Sequence, residues 1–426
     1  MKTPGAEANT AAAELDRKLA GSIEEWLEFV AFQGGEIASL LAAPAAEQGQ
    51  RGYRHTLREI AQQPLTWIET ASRLAGQVGM LEAELTRLRA DPTAAVILTG
   101  SGSSVYAGEC LAAALQATLG VPVQAVSAGN LLTHPAGSLP PSGEGLLVHF
   151  ARSGNSPESC AVLDSVRELA PRMRHLVITC NGQGRLATGS QGDARVARIV
   201  LDDKTHDRSL VMTSSFTNMT LAGRLLAQSG DVAGYARRAR DLAFLAVEVL
   251  LGHGDALARL ARSGFDSAAY LGSGARFGSA REAALKMLEM TNGRVRSFPE
   301  TYLGLRHGPM CAIDEKALVV CFLSSDALTR AYEVDLIREL NRKHLGARKV
   351  ILGQDVPADL ATPSDVVVDL AGSARLADDD APILDVLLGQ LLAFFRCQHE
   401  GLRPDLPSDD GVINRVVEDF AIHRRN

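Results

Sequence analysis

No stretch of the sequence is apolar for long enough to span a bilayer, because glycine, serine and proline interrupt the long uncharged runs. The opening residues, MKTPGAEANTAAAELDRKLA, lack the apolar core of a secretory signal. Basic residues are not in excess: 43 Lys and Arg stand against 50 Asp and Glu, a net charge of −7. That balance argues against a general binder of nucleic acid or anionic membranes, which needs a basic surface. A small anionic ligand stays compatible, since backbone N–H groups bind phosphate locally. Cysteine is scarce and scattered. Cys110, Cys160, Cys180, Cys311, Cys321 and Cys397 form no C-x-x-C pair, and several lie in apolar runs such as ALVVCFLSS, where a thiol packs as a small core residue. No compact His and Cys spacing suits zinc, and no metal is expected. A reducing, cytoplasmic setting is the expectation.

The 426 residues are 46% hydrophobic and 22% charged, the balance of a globular protein with two or three domains. The first dozen residues, rich in Ala and Thr, are expected to be disordered. From Ala13 to about Ala90 apolar residues recur at three- and four-residue spacing, the period of helices. After Pro92 short apolar runs alternate with helical stretches: AAVILTG, VPVQAVSA, GLLVHFA, HLVITC and ARIVLDD. The order of AAVILTGSGSSVYAGECLAAALQATLG, strand then Gly-Ser-Gly turn then helix, returns in SAAYLGSGARFGSAREAALKMLEMTNG. The fold class is therefore α/β, with two domains, each a parallel sheet flanked by helices. The expected boundaries are a helical extension over 1–60, domains over 61–232 and 233–400, and a tail over 401–426 that either folds back over a site or lies on the surface.

Ligands of open parallel sheets bind beyond the carboxyl ends of the strands. Three hydroxyl-rich segments fall at such ends: GSGSS (Gly100 to Ser104), RSGNSPES (Arg152 to Ser159) and MTSSFT (Met212 to Thr217). Helix N-termini offer free N–H groups and a positive dipole, and serine adds donors without bulk. The combination suits a phosphate dianion; simple helix capping is the competing explanation. A dinucleotide fingerprint would need glycine where Val105 stands, and no acidic residue ends the next strand.

In SAREAALKMLEMTNG, Glu282, Lys286 and Glu289 fall at i, i+4 and i+7, on one helix face. Alone, such a stripe reads as a solvated face. His307 follows on a turn, between Arg306 and Gly308-Pro309. A phosphate mould, a carboxylate stripe and a turn-held histidine are the parts that proton chemistry on a sugar phosphate requires.

Over roughly Arg54 to Val417 the chain resembles the sugar isomerase (SIS) domain family in tandem, through LTGSGSSVYAG, FARSGNSPES, LGSGARFGSAREAALKMLEMTNG and RHGPMCAID. Within that family EIAQQP, VMTSSFTNMTLA, ETYLGLRHGPM and GVINRVV are similar to the galactosamine-6-phosphate deaminase/isomerase group, also described as tagatose-6-phosphate ketose/aldose isomerases. The isomerase half of glucosamine-6-phosphate synthase is a more distant relative.

The resemblance implies that Ser103, Ser104, Ser153 and Ser156 hold the phosphate and that Thr213 and Ser214 lie near the sugar hydroxyls. It implies that Glu289 moves the proton between C1 and C2. It makes His307 the ring-opening group, reaching the site of a neighbouring subunit, with Glu282, Lys286 and Arg306 in support. Where the synthase has Glu-Leu-Lys before its histidine, this chain has Gly304-Leu305-Arg306, and Asn414 and Arg415 stand where the synthase has its C-terminal lysine. The implied activity is deamination of a hexosamine 6-phosphate to the ketose phosphate and ammonia, without a cofactor. Expected partners are the sugar phosphate and further copies of the chain, as a homodimer or higher homo-oligomer with shared sites, and neither nucleic acid nor membrane. The alternatives are an aldose/ketose 6-phosphate isomerase, a fructosamine-6-phosphate deglycase, and a sugar-phosphate-sensing regulator. The regulator would carry a basic recognition helix, which the N-terminal helices lack.

Overall fold

The computed structural model describes residues 13–370, 375–408, 411–417 and 421–423. The expectation of disorder for the first dozen residues lies outside that range. Helices of seven residues or more run α1 (Ile23–Ala31), α2 (Gly35–Ala42), α3 (Ala45–Arg51), α4 (Arg54–Ala61), α5 (Gln63–Ala75) and α6 (Val78–Ala90) before the first strand. Ser22 opens α1 with a capping box to Glu25. The periodic stretch after Pro64 is two helices, α5 and α6, broken at Gly76 and Gln77.

The first sheet holds β1 (Ala95–Gly100), β2 (Val123–Ser127), β3 (Gly145–Ala151), β4 (Arg174–Thr179) and β5 (Val196–Val200) in the order β2-β1-β3-β4-β5, all parallel. Its main helices are α7 (Ser103–Leu119), α8 (Pro157–Leu169) and α9 (Ser214–Gln228). After α10 (Val232–Val247) and α11 (Gly254–Ala261) the second sheet takes β6 (Ser267–Leu271), β7 (Arg296–Glu300), β8 (Ala317–Phe322), β9 (Arg348–Gly353) and β10 (Val366–Asp369). Its order, β10-β9-β8-β6-β7, is that of the first sheet read from the other edge. Pro299, which has no N–H for a ladder, is tolerated because β7 is an edge strand. The second domain's long helices are α12 (Ala275–Met290), α13 (Ala327–Arg342) and α14 (Pro382–His399).

One core runs through both domains, with α7, α9, α12 and α14 between the two sheets. The helices of this layer approach closely. A Cβ on Gly278 of α12 would sit 2.7 Å from the backbone nitrogen of Cys110 on α7, and one on Gly389 of α14 would sit 2.5 Å from Cβ of Ala283. Glycine and alanine at the crossings thus bring α12 of the second domain against α7 of the first. No helix among the described residues is long and apolar enough to cross a membrane.

The tail folds back. The carboxylate of Asp405 accepts from the backbone N–H groups of His55 (3.2 Å) and Thr56 (2.7 Å) at the start of α4, and its carbonyl accepts from Leu210 N–H at 3.0 Å. Arg415 then donates from Nε to the carbonyl of Asp207 at 3.0 Å.

Candidate functional site

Strand order reverses between β1 and β3, which are hydrogen-bonded neighbours. Crevices at such switch points receive ligands. Two of the three hydroxyl-rich segments leave the sheet here, GSGSS after β1 and RSGNSPES after β3. The turn after β1 is tight: a Cβ on Gly100 would lie 2.5 Å from that of Ser104, and Gly102 takes φ +55°. Ser103 and Ser104 begin α7 and are buried. Ser153 and Ser156 are half-buried at the mouth of α8.

Capping does not account for these serines. The first turn of α7 has no side-chain cap, and neither has that of α8, where Ser156 donates to Ser159 Oγ at 2.8 Å instead of accepting from the helix. Ser101 Oγ is buried with no hydrogen-bond partner among the described residues. Such a cluster of donors fits an anion with many acceptor oxygens.

The third segment is different. The carboxylate of Asp207 sits on the N-terminus of α9, accepting from the N–H groups of Thr213 (2.8 Å), Ser214 (3.0 Å) and Ser215 (3.0 Å) and from all three hydroxyls. Thr213 and Ser214 are fully buried, and their hydroxyls donate to this internal anion. The second domain's switch point is filled in the same manner. Asp378 accepts from Ser325 N–H at 2.7 Å and from the Ser324 hydroxyl, and Glu333 accepts from Ser324 N–H at 2.7 Å. Arg276, at the position that Ser104 occupies in the repeat, is buried in an ion pair with Asp385 at 2.5 Å. At the β1/β3 switch point, by contrast, no internal carboxylate among the described residues sits on the helix amides of α7 or α8.

The polar stripe of α12 reaches that crevice from the other domain. Lys286 Nζ donates to Ser103 Oγ at 3.0 Å and to Glu289 Oε2 at 2.5 Å, and pairs with Glu282 Oε1 at 3.2 Å. Glu282 and Lys286 are fully buried, whereas the Glu289 side chain keeps 25% of its surface. Burial pushes the Glu282 carboxyl up to about 7, against the pull of Lys286. Burial also works against the ammonium of Lys286, but the Glu282 and Glu289 carboxylates outweigh it and the net shift is upward. Lys286 is therefore a cation that orders the site and not a neutral amine nucleophile. Glu289 is partly exposed and held by that cation.

His307 and Arg306 lie elsewhere on the surface. Both are exposed, and Arg306 pairs with Glu339 of α13 at 2.7 Å. The ring of His307 makes no hydrogen bond or ion pair among the described residues, and its backbone N–H donates to Gly304 at 2.9 Å. Within one chain, no described hydrogen bond or ion pair joins His307 to Glu289 or to the serines.

The motifs gave no role to two of their own residues, Arg152 and Glu59. Arg152 opens the RSGNSPES segment, yet its guanidinium turns inward to the carbonyls of Leu210 (2.9 Å) and Arg415. Glu59 of EIAQQP is buried beneath the loop before α9, where it accepts from Arg208 N–H at 2.5 Å. Glu59 sits among Arg54, His55 and Arg58 on a strongly polar helix, so its sequence neighbourhood gives no signal of burial.

No family model matches the chain. A Streptomyces coelicolor relative, provisionally named a D-galactosamine-6-phosphate deaminase AgaS, is 37% identical over 372 residues, covering 87% of this chain and 96% of the relative. The D-galactosamine-6-phosphate deaminase AgaS of a Shewanella species is 34% identical over 388 residues, covering 90% and 96%. Among solved structures, the tagatose-6-phosphate ketose/aldose isomerase from Escherichia coli superposes with a TM-score of 0.79 at 30% identity, covering 90% of this chain and 99% of that one.

Proposed function

The chain belongs to the D-galactosamine-6-phosphate deaminase AgaS family, and from that premise we propose that it deaminates galactosamine 6-phosphate to tagatose 6-phosphate and ammonia. The phosphate docks on Ser103, Ser104, Ser153 and Ser156. Anchoring there, far from the reacting carbons, fixes the open-chain sugar relative to Glu289. The observation that carries the assignment is Lys286, which joins a phosphate-mould serine to the mobile-proton carboxylate, at 3.0 and 2.5 Å.

His307 passes a proton between the ring oxygen and the anomeric hydroxyl and releases the aldehyde. Glu289 takes the C2 proton, leaving a 1,2-enolamine, and returns it to C1. The resulting imine at C2 adds water and expels ammonia, leaving the ketose. Without the amine, the same transfer is an aldose–ketose isomerisation, the reaction for which the Escherichia coli structural neighbour is named. Because the His307 side chain is exposed and makes no hydrogen bond or ion pair among the described residues, we assign it to the site of a second copy, and the active form to a homodimer or larger homo-oligomer. Thr213 and Ser214 shape the sugar side of the crevice through their bonds to Asp207.

The test is release of ammonia, with ketose phosphate formed in equal amount, from galactosamine 6-phosphate by the purified chain without added cofactor. Turnover of tagatose 6-phosphate to the aldose with no ammonia from the amino sugar would replace deamination by isomerisation.

A further inference from the structure

The loop that walls the phosphate mould is held in place by a carboxylate that lies outside the reaction. Between β5 and α9 the chain brings Met212 over Ser104, with Oγ 3.9 Å from Sδ. Internal anchors fix this loop from several elements. Asp207 binds its far end, at Thr213 to Ser215, as described above. Arg152, adjoining the mould residue Ser153, donates to the carbonyls of Ser209 (3.4 Å) and Leu210 (2.9 Å). Glu59, from α4, accepts from the N–H groups of Arg208 (2.5 Å) and Ser209 (3.3 Å) and from the Ser209 hydroxyl. Arg415 closes the group on the carbonyl of Asp207.

These contacts satisfy the backbone of a loop that is largely buried, as its polar groups require. They also balance charge. Two carboxylates in the wall of an anion site would repel a phosphate, but the guanidinium groups of Arg152 and Arg415 stand beside them. Glu59 itself is costly to bury. Burial, followed by repulsion from Asp207, pushes its carboxyl up to about 7. Nothing in the proton-transfer sequence uses it.

We propose that Glu59 is a positioning residue for phosphate binding: it pins residues 208 and 209 so that Met212 stays seated on Ser104 and the mould keeps its shape. The proposal rests on the assignment of Ser103, Ser104, Ser153 and Ser156 to the phosphate. Glu59→Gln preserves the size and one acceptor, Glu59→Ala removes every bond, and Ser209→Ala removes a single one.

The experiment titrates inorganic phosphate and galactosamine 6-phosphate into the full-length protein and measures KM and kcat for ammonia release. Glu59→Ala is expected to weaken both ligands and raise KM about tenfold, the scale of one hydrogen bond to a charged group, with kcat changed far less. Glu59→Gln is expected to recover part of that loss. A role in stability alone would lower the melting temperature while the folded enzyme kept its phosphate affinity and KM, and that result would overturn the proposal. Should Glu59→Ala not fold, unchanged constants in both Glu59→Gln and Ser209→Ala overturn it equally. Failure of the unmodified protein to bind either ligand would remove the site assignment itself, whereas normal binding by the unmodified protein and all variants removes only the role of Glu59.

Discussion

Lys286 crosses from the second domain to donate to Ser103 of the first, Nζ to Oγ 3.0 Å, while holding Glu289 at 2.5 Å. The proposed phosphate site and the proposed proton-transfer base are thus tied through one buried cation, and movement between the domains would disturb both. The arrangement depends on the close α7–α12 crossing at Gly278, without which the lysine could not reach.

Lys286→Met removes the cation and leaves Glu282 buried without its partner. Loss of one member of a buried pair typically costs about 3–5 kcal/mol. The remaining carboxyl escapes part of that by taking up a proton. Its folded pKa then lies further above its unfolded value, so the penalty grows as pH rises and shrinks as it falls. Urea unfolding of the variant and parent at pH 6 and pH 8 should give the larger difference at pH 8; equal differences would mean that Glu282 is not charged in the parent.

Glu289→Gln keeps the shape and a hydrogen-bond partner for Lys286 but cannot accept a proton. Turnover should fall by about 10²–10⁴-fold, the usual contribution of a positioned base. Affinity for galactosamine 6-phosphate, measured by titration calorimetry, should change little. A variant with near-normal turnover would transfer the proton step to another group.

Ser153→Ala combined with Ser156→Ala removes two hydroxyl donors from the mould and leaves the helix amides. Bonds to a charged ligand are worth about 1.5–3 kcal/mol each, so loss of two should raise KM by about 10²–10⁴-fold. Inhibition by inorganic phosphate should weaken in parallel. If the helix lost stability while phosphate inhibition stayed the same, capping would be the whole role of these serines.

The strand–Gly-Ser-Gly–helix repeat made two sheets with helices on both faces legible, and apolar runs such as GLLVHFA and ALVVCFLSS marked the central strands β3 and β8. The candidate site was legible where the signal was local, as in the serines that follow β1 and β3. It was hidden where burial decided. The stripe on α12 has the period of a solvated face, yet Glu282 and Lys286 are buried while Leu288, two residues past Lys286, is 39% exposed. Only the packing of α12 between α7 and α14 sets that inversion. Asp207 lies in the loop before the amides it binds and Asp378 in a loop 53 residues after Ser325, so no helical period flags either, and the second domain's Gly-Ser-Gly turn looks as open in the sequence as the first.

His149 on β3 and His175 on β4 lie ring against ring in the first sheet, Nε2 to Nδ1 3.1 Å, fully buried. Burial holds both below the ordinary histidine range, His175 down to about 4. Both folded pKa values are depressed, so the unfolded chain binds more protons and stability is lost as pH falls, for His175 between about pH 6.5 and 4. For His175 alone the loss amounts to roughly 3 kcal/mol at full titration. Replacing both by leucine should flatten the acid side of a plot of unfolding midpoint against pH. A variant as acid-sensitive as the parent would place the titrating groups elsewhere.

Sharing of His307 between copies can be read from mixtures. His307→Asn chains and Glu289→Gln chains, each nearly inactive on the closed-ring substrate, are unfolded together and refolded. If a site takes Glu289 from one chain and His307 from its partner, a mixed dimer holds one doubly altered site and one intact site. Random pairing around a twofold axis then restores about a quarter of the parent activity. His307→Asn alone should lose far less on an open-chain analogue, because such a substrate needs no ring opening. Mixtures that stay inactive while the refolded parent recovers would confine each site to one chain, and the exposed histidine would then need to reach Glu289 by movement of its own loop.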